Sequence, residues 1–232
     1  MSKLTNLKEL ALPGDLIAEG DYNEGKNTYQ EENKIYSSMV GLVNQTGKTV
    51  NIVAIKGFYM PVIGDLVIGK VVDIRMSGWI VDINAPYSSM LFASDALGRS
   101  FNLRRDDMTA FLDLGDLILA KINAYDRTRD PTLSIKEKGL GKIKRGQICE
   151  IEPSKIPRII GRKGSMVTML KRETDCYITI GQNGLILVSG QKPELEFLAI
   201  EAINMIEKDA HTEGLTDRIK EFIKMKKEKM IS

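Results

Sequence analysis

From Gly161 to Gly164 the chain reads Gly-Arg-Lys-Gly, within the longer stretch Pro157-Arg-Ile-Ile-Gly-Arg-Lys-Gly-Ser-Met166. Glycine has no Cβ, so the backbone can turn tightly here and a second chain can approach closely. Arg162 and Lys163 put two cations at the tip, and Lys155 and Arg158 extend a basic rim. From Ser165 the pattern turns helical, with Met166, Val167, Met169 and Leu170 as an apolar stripe. A helix starting there aims its free N–H groups and positive dipole end back at the loop. Residues 139–173 hold nine basic against three acidic side chains, although the whole chain carries only +2. The chemistry offered is anion capture, of a phosphate or a sugar-phosphate backbone. The plain alternative is a basic turn between two helices.

Two nucleotide-enzyme loops are excluded by spacing. A Walker loop needs lysine directly after its second glycine, whereas Lys163 precedes Gly164. A dinucleotide fingerprint follows a strand, and a helical pattern precedes Gly161. The one histidine, His211, lies in a polar setting, which removes most imidazole acid/base and metal chemistry. Cys149 and Cys176 are far apart and outside any Cys-x-x-Cys pattern, so no disulfide framework or zinc site is implied. The acidic pairs Glu31-Glu32 and Asp106-Asp107 are isolated and read as solvated charge, not as a two-metal nuclease site. With 232 residues, 43% hydrophobic and 28% charged, the chain can bury a core unaided. No apolar run nears the roughly 20 residues that span a bilayer, and the N-terminus lacks a signal-peptide core. The expectation is a cytoplasmic soluble protein that is not an enzyme and uses no metal or cofactor.

The elements that would position the loop follow from alternation and turn chemistry. Gln147–Pro153 alternates as a strand, and Ser154–Ile160 is a short helix with Ser154 as its N-cap. A helix from Ser165 follows the loop. Cys176–Ile180 and Leu185–Ser189 form a hairpin across Gly-Gln-Asn-Gly, and Pro193–Lys208 is a helix with Leu195, Leu198, Ala199, Ala202, Ile203 and Ile206 on one face. The order β-α-loop-α-β-β-α over about 65 residues resembles the KH RNA-binding domain. That resemblance implies a clamp on single-stranded RNA at Gly161, Arg162, Lys163, Gly164 and Ser165, with Lys155 and Arg158 as rim. Ile160, Val167 and Ile178 would line an apolar groove for about four unpaired bases.

Ahead of this lies another small domain. Leu66–Met76, Trp79–Ala85 and Tyr87–Ser94 read as strands, Arg104–Leu114 as a helical insertion, and Leu117–Asp126 and Thr132–Glu137 as two more strands. Five strands with a helix between the third and fourth fit an OB barrel, and "GDLVIGKVVDIRMSGWIVDI" resembles the ribosomal S1 type. Trp79 is the only aromatic in the turn where that family stacks bases, so it is either a stacking platform, commonly worth about 1 to 3 kcal/mol per base, or a core residue. Arg127 and Arg129, in the loop joining the last two strands, are either RNA contacts or a solvated turn.

Residues 1–60 offer short strands such as Lys34–Val43 and Lys48–Ile55 around the turn Asn44–Lys48. The organisation is therefore multidomain: an N-terminal small β-domain (1–60), an S1-type OB-fold barrel (61–138), an α+β KH domain (144–209) and a helical extension (210–232), whose lysines form a solvated face. This order resembles the archaeal exosome RNA-binding cap subunits that carry S1 and KH domains. The resemblance implies a non-catalytic subunit. Three copies would sit on a ring of RNase-PH-like subunits and feed 3′ single-stranded RNA to it, with residues 1–60 as the anchor. A free-standing S1/KH regulator or translation-associated protein is the alternative.

Overall fold

A computed structural model of the chain describes residues 3–4, 9–55, 57–96, 107–126, 128–210, 212 and 214–231. They divide into two units, Met1–Gly57 and Phe58–Ser232.

The first unit is built from eight short strands: β1 (Lys3–Leu4), β2 (Leu10–Ala11), β3 (Leu16–Glu19), β4 (Asn23–Glu24), β5 (Thr28–Glu31), β6 (Lys34–Ser37), β7 (Gly41–Thr46) and β8 (Thr49–Ala54). They make two four-stranded sheets, ordered β1-β3-β6-β5 and β2-β7-β8-β4. The expected strand Lys34–Val43 is broken between the two sheets. The cause is local: the hydroxyl of buried Ser37 donates to the Met39 carbonyl at 2.6 Å and turns the chain away from β6. Alternation then buries Val43, Val50 and Ile52 with Ile17 and Ile35. The opposite side of the second sheet carries Leu10, Leu42 and Val53, all exposed and aligned by register across β2, β7 and β8.

The second unit begins with β9 (Leu66–Arg75), β10 (Gly78–Asp82), β11 (Ser89–Phe92), the short helices α1 (Ala93–Ala96) and α2 (Met108–Phe111), β12 (Leu117–Asp126) and β13 (Arg129–Ser134). The five strands are ordered β13-β11-β10-β9-β12, and β13 pairs back onto β12, so the barrel is closed and has no free edge. Closure joins β11 to β13 in parallel, and a two-residue strand, β14 (Gly141–Lys142), adds to β12. The helical insertion is present at α2, where the Asp107 carboxylate caps the first turn by accepting from the Thr109 N–H at 2.9 Å. The Thr109 hydroxyl, which also donates to this carboxylate, and then the Thr109 N–H hold the Asp107 carboxyl below its ordinary value. Asp107 is thus a helix cap; Asp106 lies outside the described residues.

After the barrel come β15 (Gln147–Glu150), a 3-10 turn (Pro153–Lys155), α3 (Ile156–Ile160), a 3-10 turn (Arg162–Gly164), α4 (Ser165–Thr174), β16 (Tyr177–Ile180), β17 (Leu185–Ser189), α5 (Pro193–Lys208) and α6 (Leu215–Ile231). The sheet order β15-β17-β16 leaves β16 at an edge. Helices α3 to α6 cover one sheet face, and their shared core includes Ile156, Ile159, Leu170, Ile178, Val188, Ile203 and Ile219. Ser154 is not the expected N-cap. The 3-10 turn already starts at Pro153, and α3 begins at Ile156 with no side-chain cap.

Candidate nucleic-acid interface

The two helices beside the basic loop end and start where their glycines require. Gly161 takes φ 74° and ψ 175°, a conformation open essentially to glycine alone, and it stops α3. A Cβ on Gly161 would come within 2.8 Å of the Met166 backbone nitrogen, so the loop closes onto the start of α4 only with glycine there. Gly164 takes φ 78° and precedes Ser165, and no side chain caps α4. The Ser165 N–H donates to the Arg162 carbonyl and closes the 3-10 turn, so the later N–H groups of the first turn of this ten-residue helix, which no side chain caps, are the ones left for an anion. Lys163 sits in the left-handed region at φ 52° and ψ 31°, uncommon for a residue with a Cβ. Both tip cations, Arg162 and Lys163, are exposed, as is Ser165. Ile160 and Val167 are half-buried against the core and supply apolar floor beside the loop.

The remaining expected site residues divide sharply. Lys155 is half-buried in the 3-10 turn before α3. Arg158 is exposed, and its guanidinium donates to the Thr212 carbonyl at 2.8 Å, tying α3 to the segment between α5 and α6. Ile178 does not line a groove: only 2% exposed, it pairs with Val188 and points into the core, because strand alternation puts Tyr177 and Thr179 on the other face. Trp79 is likewise no stacking platform. It is 0% exposed, its indole N–H donates to the Leu112 carbonyl at 2.9 Å, and its ring lies 5.6 Å from that of Phe111. A tryptophan whose ring and N–H are both committed inside the barrel has no face to give a base. Arg129 is exposed at the start of β13, with Asp126 as its register partner; Arg127 and His211 lie outside the described residues.

Comparison with known proteins matches all three regions to family models. Residues 8–56 match the exosome RNA binding protein RRP4 N-terminal domain, 58–124 the RRP4 S1 domain and 146–207 the KH domain. The chain is 46% identical to the exosome complex component Rrp4 of Pyrococcus abyssi, over 92% of this chain and 81% of that one. It is 43% identical to the Rrp4 of Ignisphaera aggregans, over 96% and 92% of the two chains. The crystal structure of a protein assigned as an exosome complex RNA-binding protein superposes with a TM-score of 0.71 at 45% identity, covering 74% of this chain and 98% of that one. The chain belongs to the Rrp4 family of exosome components.

In this Rrp4-family chain the S1 barrel and the KH domain are locked together by a residue that the sequence marks only as a turn. Asn183, in the β16–β17 turn, is 0% exposed; its amide donates to the carbonyls of Ile68 at 2.7 Å and Ile83 at 2.8 Å, and its oxygen accepts from the Ile68 N–H at 3.3 Å. Gln182 adds an N–H donated to the Leu66 carbonyl at 2.8 Å. The hairpin tip is therefore a plug in the wall of the barrel. Asn-Gly spacing gives no sign of this, since such turns ordinarily meet water.

Both cysteine thiols are free and buried. Burial, with Glu207 and Glu150 nearby, pushes the Cys149 thiol up to about 11, and burial also raises that of Cys176. Among the described residues no group of histidine, cysteine, aspartate and glutamate could hold a metal ion, and no helix is long and apolar enough to cross a membrane.

Proposed function

We propose that this chain is a non-catalytic RNA-binding cap of an exosome, which holds single-stranded 3′ RNA and delivers it to a ring of RNase-PH-like subunits for 3′→5′ degradation or tailing. The observation that carries this reading is the Gly161–Gly164 cradle, with two exposed cations over the uncapped start of α4. A cradle of this kind grips a sugar-phosphate backbone and leaves the bases to the apolar floor at Ile160 and Val167, which favours sequence-tolerant holding over cutting. Three copies on one ring would add weak grips into useful retention. The exposed row of Leu10, Leu42 and Val53 supports an anchoring role for the first unit, since a monomer seldom leaves aligned apolar side chains to water.

Binding of labelled single-stranded RNA tests the clamp. Replacing Arg162 and Lys163 by aspartate is expected to weaken binding about a hundredfold and to flatten the dependence on log salt by about 1 to 1.5, the share of two phosphate contacts on a single strand. Unchanged affinity and slope would overturn the clamp. Purification from native cells tests the partner: co-elution with RNase-PH-like subunits is expected, and elution as a lone chain would favour a free-standing regulator.

A further inference from the structure

A cleft of about 280 Å³ lies between the barrel and the outer face of the KH sheet. One wall is the sheet face that the helices leave uncovered. Register sets Tyr177 beside Ser189 and Thr179 beside Leu187 on it. Tyr177 is 78% exposed, a large ring standing in solvent at the start of an edge strand. The other wall is the connection from Gly139 to Arg145. Lys142 on that wall is neutralised by an ion pair with Asp116, whereas Lys144 and Arg145 are exposed. Three cations and no carboxylate line the cleft.

We propose that this cleft is a second contact for the RNA strand held by the glycine loop, in which a base stacks on Tyr177 and the adjoining phosphates meet Lys144 and Arg145. The inference rests on the reading that the chain binds RNA. An aromatic face flanked by cations is the combination that holds single strands without regard to sequence, and the hydroxyls of Thr179 and Ser189 suit a ribose. The ten-residue α4, about 15 Å long, separates the loop from β16 in the chain, and Tyr177 stands on the sheet face that the helices leave uncovered, so a strand that touches both must pass the edge at β16 and be longer than the roughly four nucleotides that a KH loop grips. The walls are also fixed relative to each other, because the Asn183 plug joins the sheet to the barrel. A site held open in advance spends little of its binding energy on ordering itself.

The test compares an oligoribonucleotide of about four nucleotides with one three to four times longer, on wild type, on Tyr177→Ala, on Tyr177→Phe and on Lys144→Glu/Arg145→Glu. Tyr177→Ala is expected to weaken the longer strand about tenfold and leave the short one unchanged. Tyr177→Phe should keep wild-type affinity, and the charge reversal should lower the salt slope for the longer strand only. A photoreactive uridine in the longer strand should cross-link to Tyr177. Equal affinity of Tyr177→Ala and wild type for the longer strand overturns the proposal, as does an equal loss on both lengths. If Tyr177→Ala binds RNA normally but no longer associates with ring subunits, the cleft is a protein contact and the proposal fails. If wild type binds neither strand, the RNA reading itself fails; if Arg162→Asp/Lys163→Asp alone loses binding, only the cleft does.

Discussion

The chain contains the spacing Gly-x-x-Gly twice within one domain, at 161–164 and at 181–184, and the two do opposite work. The first joins two helices and keeps its tip in solvent; the second joins two strands and drives its tip, Asn183, into the barrel wall. A Cβ on Gly164 would meet nothing closer than Val167 at 3.9 Å, whereas one on Gly184 would strike the Ile151 carbonyl oxygen at 2.4 Å. Spacing therefore permits a tight turn in both cases and decides neither use. The tip residues decide. Arg-Lys cannot be buried without partners, so it stays out, open to the anion proposed for it; an asparagine amide has two donors and an acceptor that match the carbonyls of Ile68 and Ile83 and the Ile68 N–H.

The comparison is put under most strain by removing the plug. Asn183→Ala leaves both carbonyls and the N–H that it serves without partners in a buried junction, and about 3 kcal/mol of stability should go with them. Urea unfolding of the full chain measures this. Binding of an oligomer of about four nucleotides to the glycine loop should persist under conditions where the variant is folded. A loss below about 0.5 kcal/mol would mean that the asparagine is a bystander and that the two turns differ less than their burial indicates.

Sequence reading did well where one force dominates and poorly where two compete. β12 and α5 were legible to the residue, because one is an apolar run opened by the Gly115-Asp116 turn and the other starts on Pro193 and carries an unbroken apolar face. The break between β6 and β7 was not, since a single side-chain hydrogen bond from Ser37 overrides a continuous apolar run. Ser154 failed as a cap for a similar reason, Pro153 having started the turn one residue earlier. At the site, the loop and its two tip cations could be read from spacing and charge. Trp79 was ambiguous in principle: its type fits a platform or a core, and only the partner that satisfies its N–H, Leu112, settles the matter. Tyr177 could not be singled out at all, because which face of β16 the helices cover is a property of the packed domain.

The two glycines of the open loop sharpen the same contrast from within. Gly161→Ala places a Cβ 2.8 Å from the Met166 nitrogen in a backbone region that alanine avoids, so it should cost about 2 kcal/mol and abolish RNA capture by shifting the start of α4. Gly164→Ala meets only an ordinary contact with Val167 and bears the left-handed penalty, about 1 kcal/mol, with RNA affinity reduced severalfold at most. Thermal melting and RNA titration of the pair should separate them. Equal effects would mean that the close approach at Gly161 relaxes readily and that the cradle is not set by its backbone.

The smallest expected effect concerns the other link between barrel and KH sheet. The Asp116–Lys142 ion pair fastens β14, in the connection between the modules, to the turn before β12. Lys142 and the Asp113 N–H together hold the Asp116 carboxyl below its ordinary value. A carboxyl depressed in the folded state contributes stability above its unfolded value, and that contribution fades as pH falls through the folded one. The pair is partly exposed to water, so Asp116→Asn should cost only a few tenths of a kcal/mol near neutrality and nothing in strong acid. If the plug carries the junction, as its burial implies, Asp116→Asn must cost far less than Asn183→Ala at every pH. A cost that rivals it would move the junction from the buried hairpin to the exposed connection, and the second Gly-x-x-Gly would then be an ordinary turn that happens to be covered.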